Sequence, residues 1–227
     1  MKFVDLDTQF RKLESEIRSA IDAVLEHGQY IMGPEVYALE QELGEFCSAE
    51  HVVSTASGTD ALLMCLMSYG IGPGDAVVAP PFTFVATAEV IQLLGATTVF
   101  VDVSEDTFNL DPDQLEATVK RIRKQGKLNL RGVIPVDLFG LPADYESIGA
   151  IADEHDLFVL ADAAQSFGAV HQGKRVGTFG DVTATSFFPA KPLGCYGDGG
   201  AVFTADADRA EVMRSIRFHG KGTSQYD

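Results

Sequence analysis

Positive charge, cysteine and long apolar runs are all scarce in this sequence of 227 residues, and each shortage excludes a class of protein. Lysine and arginine total 17 against 33 aspartate and glutamate residues, which gives a net charge of −16. A chain this acidic repels nucleic acid and anionic membrane surfaces, so we expect neither as a partner. No run approaches the roughly 18 apolar residues that a membrane span needs. The 46% hydrophobic and 22% charged residues are typical of a globular protein.

The cysteines and the N-terminus both indicate a cytoplasmic protein. Cys47, Cys65 and Cys195 are odd in number and widely spaced, and none belongs to a CxxC pair. We therefore expect reduced thiols and neither a disulfide framework nor a metal site. Asp5 and Asp7 interrupt the start of the chain, so no secretory signal peptide is predicted.

Hydrophobic periodicity predicts two N-terminal helices followed by an alternation of strands and helices. The predicted helices cover residues 9–26, 34–46, 59–69, 85–94, 112–124, 144–155 and 206–217. The predicted strands cover residues 51–55, 76–79, 98–103, 132–136, 157–161, 182–187 and 200–204. Valine-rich strands that alternate with helices are typical of a mostly parallel, buried sheet. We therefore expect an α/β fold.

Two further patterns bear on that fold. The first predicted helix places six apolar residues at helical spacing: Phe10, Leu13, Ile17, Ile21, Val24 and Leu25. The one basic stretch, residues 122–131, is interpreted as a solvent-exposed helix end and loop.

A Ser/Gly/Thr turn in the segment STASGTDAL, residues 54–62, joins a predicted strand to a predicted helix. Such a turn leaves backbone N–H groups free at a helix N-terminus, where the helix dipole favours an anion, and the Thr59 hydroxyl can donate as well. The segment lacks the lysine of a P-loop and the GxGxxG spacing of a dinucleotide fold. It therefore indicates a phosphate site, and the alternative is ordinary helix capping by Ser57 or Thr59.

Asp162 ends the apolar run FVLAD, at the end of a strand where open α/β sheets bind ligands. A carboxylate buried there is unfavourable unless a cation or a strong donor pairs with it, and a protonated ring nitrogen would suffice. Gln165, three residues on, could donate to a neighbouring oxygen. The alternative is that Asp162 caps a following helix.

Lys191 lies in a loop rich in proline and glycine that follows the predicted strand 182–187. Ala190 and Pro192 flank it, and no acidic residue follows before Asp198. Poor solvation favours the neutral amine, which is the form that attacks a carbonyl to make a Schiff base. The alternative is an exposed loop lysine.

Together, the three segments meet the requirements of pyridoxal 5′-phosphate (PLP), which needs a phosphate site, a carboxylate for its ring nitrogen and a reactive lysine. They follow three separate strand ends.

The same segments resemble the DegT/StrS family of PLP-dependent aminotransferases. The resemblance lies in SGTDAL, PPFTFVATAEVI, DAAQSFGA and SFFPAKPLGCYGDGGA, and it extends from about Phe3 to the last residues. It implies the large domain of fold type I, with a mostly parallel seven-stranded sheet flanked by helices. It also implies amination of a nucleotide-linked keto sugar for surface polysaccharide or amino-sugar synthesis. Within the family, the sequence is similar to members that aminate a UDP-linked 3-keto-glucuronate derivative.

The resemblance implies that Lys191 forms the Schiff base and then moves the proton as general base and acid. Asp162 matches the carboxylate that keeps the pyridine nitrogen protonated, and Gln165 matches the residue near the phenolic oxygen. A similar branch that dehydrates sugars carries histidine in place of this lysine, so Lys191 supports transamination.

The remaining cofactor contacts are also implied by the resemblance. Gly58, Thr59 and Ser186 match contacts to the phosphate, and Phe84 falls where the family stacks an aromatic ring on the pyridine. The implied amino donor is glutamate, and the implied assembly is a homodimer, because the family's active site lies at a dimer interface.

The chain is shorter than typical members of the family. We therefore expect residues 1–227 to comprise the N-terminal segment and the large PLP-binding domain, without the small C-terminal domain. A non-catalytic remnant that still binds PLP is one alternative. A dinucleotide-dependent oxidoreductase is another, and it is disfavoured because no GxGxxG follows a strand.

Overall fold

Seven α-helices and nine β-strands alternate along residues 4–221, the part of the chain that a computed structural model describes. The helices are α1 (Leu6–His27), α2 (Pro34–Cys47), α3 (Gly58–Ser68), α4 (Ala86–Leu93), α5 (Pro112–Gln125), α6 (Tyr145–Glu154) and α7 (Ala207–Arg217). The strands are β1 (His51–Thr55), β2 (Asp75–Ala79), β3 (Thr97–Phe100), β4 (Asn129–Val133), β5 (Phe158–Asp162), β6 (Val170–His171), β7 (Lys174–Arg175), β8 (Val182–Ser186) and β9 (Gly200–Thr204). A short 3₁₀ helix covers Leu138–Gly140.

Seven of the strands form one sheet in the order β1-β9-β8-β5-β4-β2-β3. All neighbours are parallel except those of β9, which runs antiparallel to both β1 and β8. The predicted α/β fold with a mostly parallel, seven-stranded sheet is therefore confirmed. The carboxyl ends of the six strands that share a direction meet at one edge of the sheet. β6 and β7 form a separate hairpin.

Helices cover both faces of the sheet, so its central strands are buried on both sides. Every residue of β5, β8 and β9 is buried. Along β2, Val77 and Ala79 join the core that α3, α4 and α7 complete. Ala76 and Val78 point to the opposite face and join the core that α5 and α6 complete.

Local sequence signals fix where the helices begin and end. Ser57, Asp111, Asp144 and Asp206 cap α3, α5, α6 and α7, and each side chain accepts a hydrogen bond from a backbone N–H of the first turn. Gly126 ends α5 with a φ of 63°, which glycine adopts without strain.

The first helix forms as predicted, but its apolar stripe is not covered. No residue of α1 is buried. Leu13, Ile21 and Leu25 are exposed, and the ring of Phe10 meets the ring of Tyr196 edge-on at 5.8 Å between centroids. No helix within residues 4–221 has the length and apolarity to cross a membrane.

The interpretation of residues 122–131 as a helix end and loop is wrong in its last part. α5 ends at Gln125, but β4 begins at Asn129 and pairs with β2. Leu130 is buried in the core on the side of α5 and α6, while Arg131 donates to the carbonyl of Tyr69. Leu130 and Arg131 thus point to opposite faces of the sheet, as successive residues of a strand do.

Two strands end three residues earlier than predicted. β4 ends at Val133 because Pro135 has no N–H with which to continue the ladder. β3 ends at Phe100, opposite Ala79, where its partner strand β2 also ends.

Candidate active site

A cavity of about 500 Å³ opens at the carboxyl edge of the sheet. Its lining includes all seven residues that the sequence and the resemblance single out: Gly58, Thr59, Phe84, Asp162, Gln165, Ser186 and Lys191. The ends of β5 and β8, the start of α3 and the loop after β8 bring these residues together, although up to 133 positions separate them along the chain (191 − 58). The size is typical of a site for a small ligand or cofactor.

The start of α3 presents free backbone donors to this cavity. Ser57 is the N-cap, and its hydroxyl accepts from the N–H of Asp60 at 3.0 Å. Capping therefore uses Ser57 and not Thr59. Within residues 4–221, the N–H groups of Gly58 and Thr59 have no hydrogen-bond acceptor. Two free N–H groups at a helix N-terminus form a site that favours an anion.

Close packing holds this turn against the sheet. A Cβ on Gly58 would lie 2.6 Å from the Cβ of Ser186, so only glycine fits without a shift. A Cβ on Gly200 would lie 2.5 Å from the carbonyl oxygen of Ser57. The Ser186 hydroxyl accepts from the N–H of Phe188 at 3.2 Å and keeps its own proton to donate into the cavity.

Asp162 is a buried carboxylate, with 5% of its surface exposed. Its Oδ2 accepts from the Thr87 hydroxyl at 2.8 Å, and its Oδ1 accepts from the N–H of Ala164 at 3.2 Å. Burial raises the pKa of Asp162, while Thr87, the Ala164 N–H and the charge of Lys191 act in the opposite direction. No helix follows Asp162 directly, so its side chain is not a helix cap. A cation brought to this carboxylate would offset the unfavourable burial of its charge.

The side-chain amide of Gln165 is oriented by the backbone. Its Oε1 accepts from the N–H of Phe139 at 3.0 Å, which leaves the Nε2 hydrogens free to donate. Phe139 has a φ of 55°, an uncommon conformation for a bulky residue, and its ring is 71% exposed. Gln165 therefore both fixes this turn and offers a donor at the cavity.

Lys191 is partly exposed, and Pro192 and Leu193 beside it are exposed. The apolar residues beside Lys191 therefore do not bury it, which differs from the poor solvation that the sequence predicts. Phe84, on the segment before α4, is 66% exposed. Both side chains border the open side of the cavity.

Sequence reasoning missed two polar residues that the tertiary structure brings to the site. Thr87 is fully buried on α4 and donates to Asp162, 75 positions away. Asp137 is fully buried after β4, and its backbone N–H donates to the carbonyl of Asp162 at 3.0 Å. Asp137 had a detectable signal, because the run VIPVD ends in a carboxylate as FVLAD does. For Thr87, the only signal in the sequence is its i, i+4 spacing from Thr83.

The family of the chain follows from a match to known sequences. The model of the DegT/DnrJ/EryC1/StrS aminotransferase family matches residues 11–227, and the chain belongs to this family.

Among curated relatives, UDP-2-acetamido-2-deoxy-3-oxo-D-glucuronate aminotransferase of Pseudomonas aeruginosa is 49% identical over 97% of this chain and 60% of its own length. A solved DegT/DnrJ/EryC1/StrS aminotransferase from Brucella abortus is 54% identical, with a TM-score of 0.98 over all of this chain and 61% of the other. NtdA from Bacillus subtilis, solved with bound cofactor PMP, is 29% identical, with a TM-score of 0.84 over 95% of this chain and 47% of the other. The chain thus spans about three fifths or less of the length of these proteins.

Proposed function

We propose that this chain binds PLP and belongs to an aminotransferase that transfers an amino group, from glutamate, to a nucleotide-linked keto sugar. The observation that carries the proposal is the cavity itself. It joins free N–H groups at a helix start, a buried carboxylate without a full counter-charge and a lysine. Each of these matches a different part of one cofactor.

Each predicted site residue of the cavity has the chemistry that one part of PLP requires. The N–H groups of Gly58 and Thr59 and the hydroxyl of Ser186 would hold the phosphate, and the net charge of the chain matters little there because the donors are local. A Cβ at Gly58 would fill the space beside Ser186, which explains why the turn needs glycine. Asp162 would hold the protonated ring nitrogen. This cation would offset the unfavourable burial of the Asp162 charge.

The open side would hold the rest of the ring. The free Nε2 hydrogens of Gln165 would donate to the phenolic oxygen, and Phe84 would cover one ring face. Lys191 would attach to the carbonyl carbon through its amine.

When bound, PLP supplies an electron sink for the negative charge that develops when an amino acid loses its α-proton. This chain's own residues would do the rest. Asp162 would keep the proton on the ring nitrogen, while Thr87 and the N–H of Ala164 hold its carboxylate in place. Lys191, once released, would carry the proton from the α-carbon of the amino acid to the carbonyl carbon of the cofactor.

The substrate class rests on the relatives. The Pseudomonas aeruginosa relative is named for a UDP-linked 3-oxo-glucuronate derivative, and this supports a UDP-linked sugar with its ketone at carbon 3. The corresponding process is the synthesis of surface polysaccharide or of an amino sugar. We place the protein in the cytoplasm, where thiols stay reduced, since Cys47, Cys65 and Cys195 are free cysteines.

A homodimer is the assembly that the exposed surface supports. The rings of Phe82, Phe108 and Phe139 lie exposed beside the cavity, with centroids 5.9–6.3 Å apart. A second copy of the chain would cover this apolar surface by isologous contact. The domain assignment, residues 1–227 as a large PLP-binding domain, stays a prediction.

The direct test is to add PLP and follow the absorbance of the lysine-bound cofactor. We expect a new band in the wild type and none in Lys191→Ala. Lys174→Ala is the matched control, because Lys174 lies exposed on the β6–β7 hairpin and should leave the band unchanged. A band that survives Lys191→Ala would contradict the assignment.

Turnover separates an enzyme from a PLP-binding chain without catalysis. We expect glutamate to convert the bound cofactor to pyridoxamine phosphate, and a panel of UDP- and dTDP-linked keto sugars to convert it back. Cofactor binding without the glutamate-dependent change would favour the non-catalytic alternative.

A further inference from the structure

A second buried carboxylate belongs to Asp137, whose backbone is hydrogen-bonded to that of Asp162. Asp137 follows β4 on the neighbouring strand of the sheet, and none of its surface is exposed. The backbones of the two residues are joined, since the Asp137 N–H donates to the Asp162 carbonyl at 3.0 Å and the Asp162 N–H donates to the Pro135 carbonyl at 2.9 Å. Asp137 does not line the cavity.

The side chain of Asp137 is held by neutral donors. Its Oδ1 accepts from the Tyr145 hydroxyl at 2.7 Å and from the Ala143 N–H at 2.9 Å. Its Oδ2 accepts from the Ser166 hydroxyl at 2.7 Å. Ser166 belongs to the turn that also carries Gln165. One carboxylate therefore ties the Asp162–Ser166 turn to the start of α6.

No cation neutralises this carboxylate among the described residues. The charged or titratable groups that act on it are Tyr145 from α6 and Asp162 from β5, and Lys191 acts on the far side of Asp162. Burial raises the pKa of Asp137 to about 6, and the charge of Asp162 adds to the rise. Above this pKa Asp137 carries charge, and a cation in the cavity that Asp162 lines would compensate it.

We propose that Asp137 is a positioning residue that acts through Asp162, holding the turn that follows Asp162 and adding a second negative charge that favours a protonated ring nitrogen in the cavity. The proposal rests on the proposed function, because it assumes that the ligand facing Asp162 is PLP. It assigns Asp137 no contact with cofactor or substrate.

The test compares two ligands that differ only at the ring nitrogen. PLP is measured against 1-deaza-PLP, in which carbon replaces that nitrogen, by titration of the wild type and of Asp137→Asn at about pH 8. Asparagine keeps an oxygen for Tyr145 and Ala143 and removes the charge. We expect Asp137→Asn to weaken PLP binding about tenfold and to leave the binding of 1-deaza-PLP unchanged.

Asp156→Asn is the matched control. Asp156 is exposed near the opposite end of β5, and its φ of 53° suits asparagine, so the loss of its charge should change the affinity for neither ligand. If Asp137→Asn weakens both ligands equally, Asp137 only supports the fold of the site and the proposal is wrong. If it weakens neither, there is no coupling to the ring nitrogen.

A second variant covers the case in which Asp137→Asn does not fold. Tyr145→Phe removes a donor from Asp137 and none from Asp162, so it should raise the pKa of Asp137 further. As the pH is lowered and Asp137 loses its charge, we expect the preference for PLP over 1-deaza-PLP to fall, and to do so at a higher pH in Tyr145→Phe than in the wild type. An unchanged pH profile would overturn the proposal. A wild type that binds PLP without these differences refutes this inference alone, whereas a wild type that binds neither ligand refutes the proposed function as well.

Discussion

The two sides of the cavity are built differently. On the closed side, the residues are closely packed or hydrogen-bonded, so there is no space for a larger side chain. These residues are Gly58, Ser186, Asp162 and Thr87. On the open side, Phe84 is exposed and Lys191 is partly so. The difference indicates that the closed side is preorganised by the fold, while the open side depends on what binds against it. The predictions below test this contrast through the free energy of unfolding.

The largest effect is expected for Gly58→Ala. The added Cβ would lie 2.6 Å from the Cβ of Ser186, so the start of α3 must shift, and overpacking of this kind costs about 2–3 kcal/mol. PLP binding should weaken as well, because the shift moves the free N–H groups. Denaturant unfolding and cofactor titration measure the two effects.

Gly149→Ala is the control for that substitution. Gly149 lies within α6 with nothing within 4 Å of an added Cβ, so alanine should stabilise the protein by about 0.5–1 kcal/mol. Similar losses of stability in both variants would contradict the packing argument.

The second effect is a pH dependence that Asp137 introduces. Its pKa is about 6 in the folded protein and close to 3.8 when unfolded, so burial of the charge destabilises the fold above pH 6. This penalty is lost as pH falls through 6 towards 3.8. Compared with Asp137→Asn, the wild type should therefore gain about 2 kcal/mol between about pH 7.5 and 4.5.

The comparison with Asp137→Asn removes the titration of Asp137 together with its coupling to Asp162. The pKa values of exposed carboxylates such as Glu35 and Glu116 are lowered, and they oppose the trend equally in both proteins. A stability difference that is constant across this pH range would show that Asp137 does not titrate there. Unfolding curves at several pH values give the answer.

A smaller effect is expected for Thr87→Val. The variant keeps the shape of the side chain but removes the donor at 2.8 Å from Asp162, and an unsatisfied buried acceptor costs about 1–2 kcal/mol. The pKa of Asp162 should rise further. Thr98→Val is the control, because that hydroxyl makes only a 3.3 Å bond on a half-buried strand, and its loss should cost less. Equal losses would argue against a special role for Thr87.

The smallest change in stability is expected on the open side. Phe84→Ala should alter the free energy of unfolding by no more than about 0.5 kcal/mol, because the ring is 66% exposed. PLP affinity should nevertheless fall, since the pyridine ring of the cofactor would lose its contact with the Phe84 ring. A large loss of stability would mean that the open side is not open in solution.

Local patterns explain how much of the fold could be predicted from sequence. Helix caps such as Asp111 and Asp206 depend on neighbours three residues away, and strand runs depend on alternation within a few residues. The order of the strands and the antiparallel course of β9 depend on contacts between distant segments, which no local pattern contains. The prediction of a loop at the end of the 122–131 stretch is wrong for the same reason, because pairing with β2 and β5 makes Asn129–Val133 a strand.

The site divides in the same way. Gly58, Asp162 and Lys191 lie in segments whose local chemistry is visible along the chain, and the structure places all three at one cavity. Thr87 and Asp137 are different, because their hydrogen bonds join distant segments or separate elements. Thr87 donates to Asp162, 75 positions away, and Asp137 accepts from Tyr145 on α6. The roles of all these residues toward PLP stay predictions.

By itself, then, the sequence determined the alternation of helices and strands, the helix ends and the family to which the chain belongs, because each is written in short-range patterns or in motifs. Only the tertiary structure decided which donors hold Asp162, that Lys191 is partly exposed, and that no residue of α1 is buried. Burial and pairing of this kind depend on residues distant in sequence, and a side chain's own neighbours do not specify them.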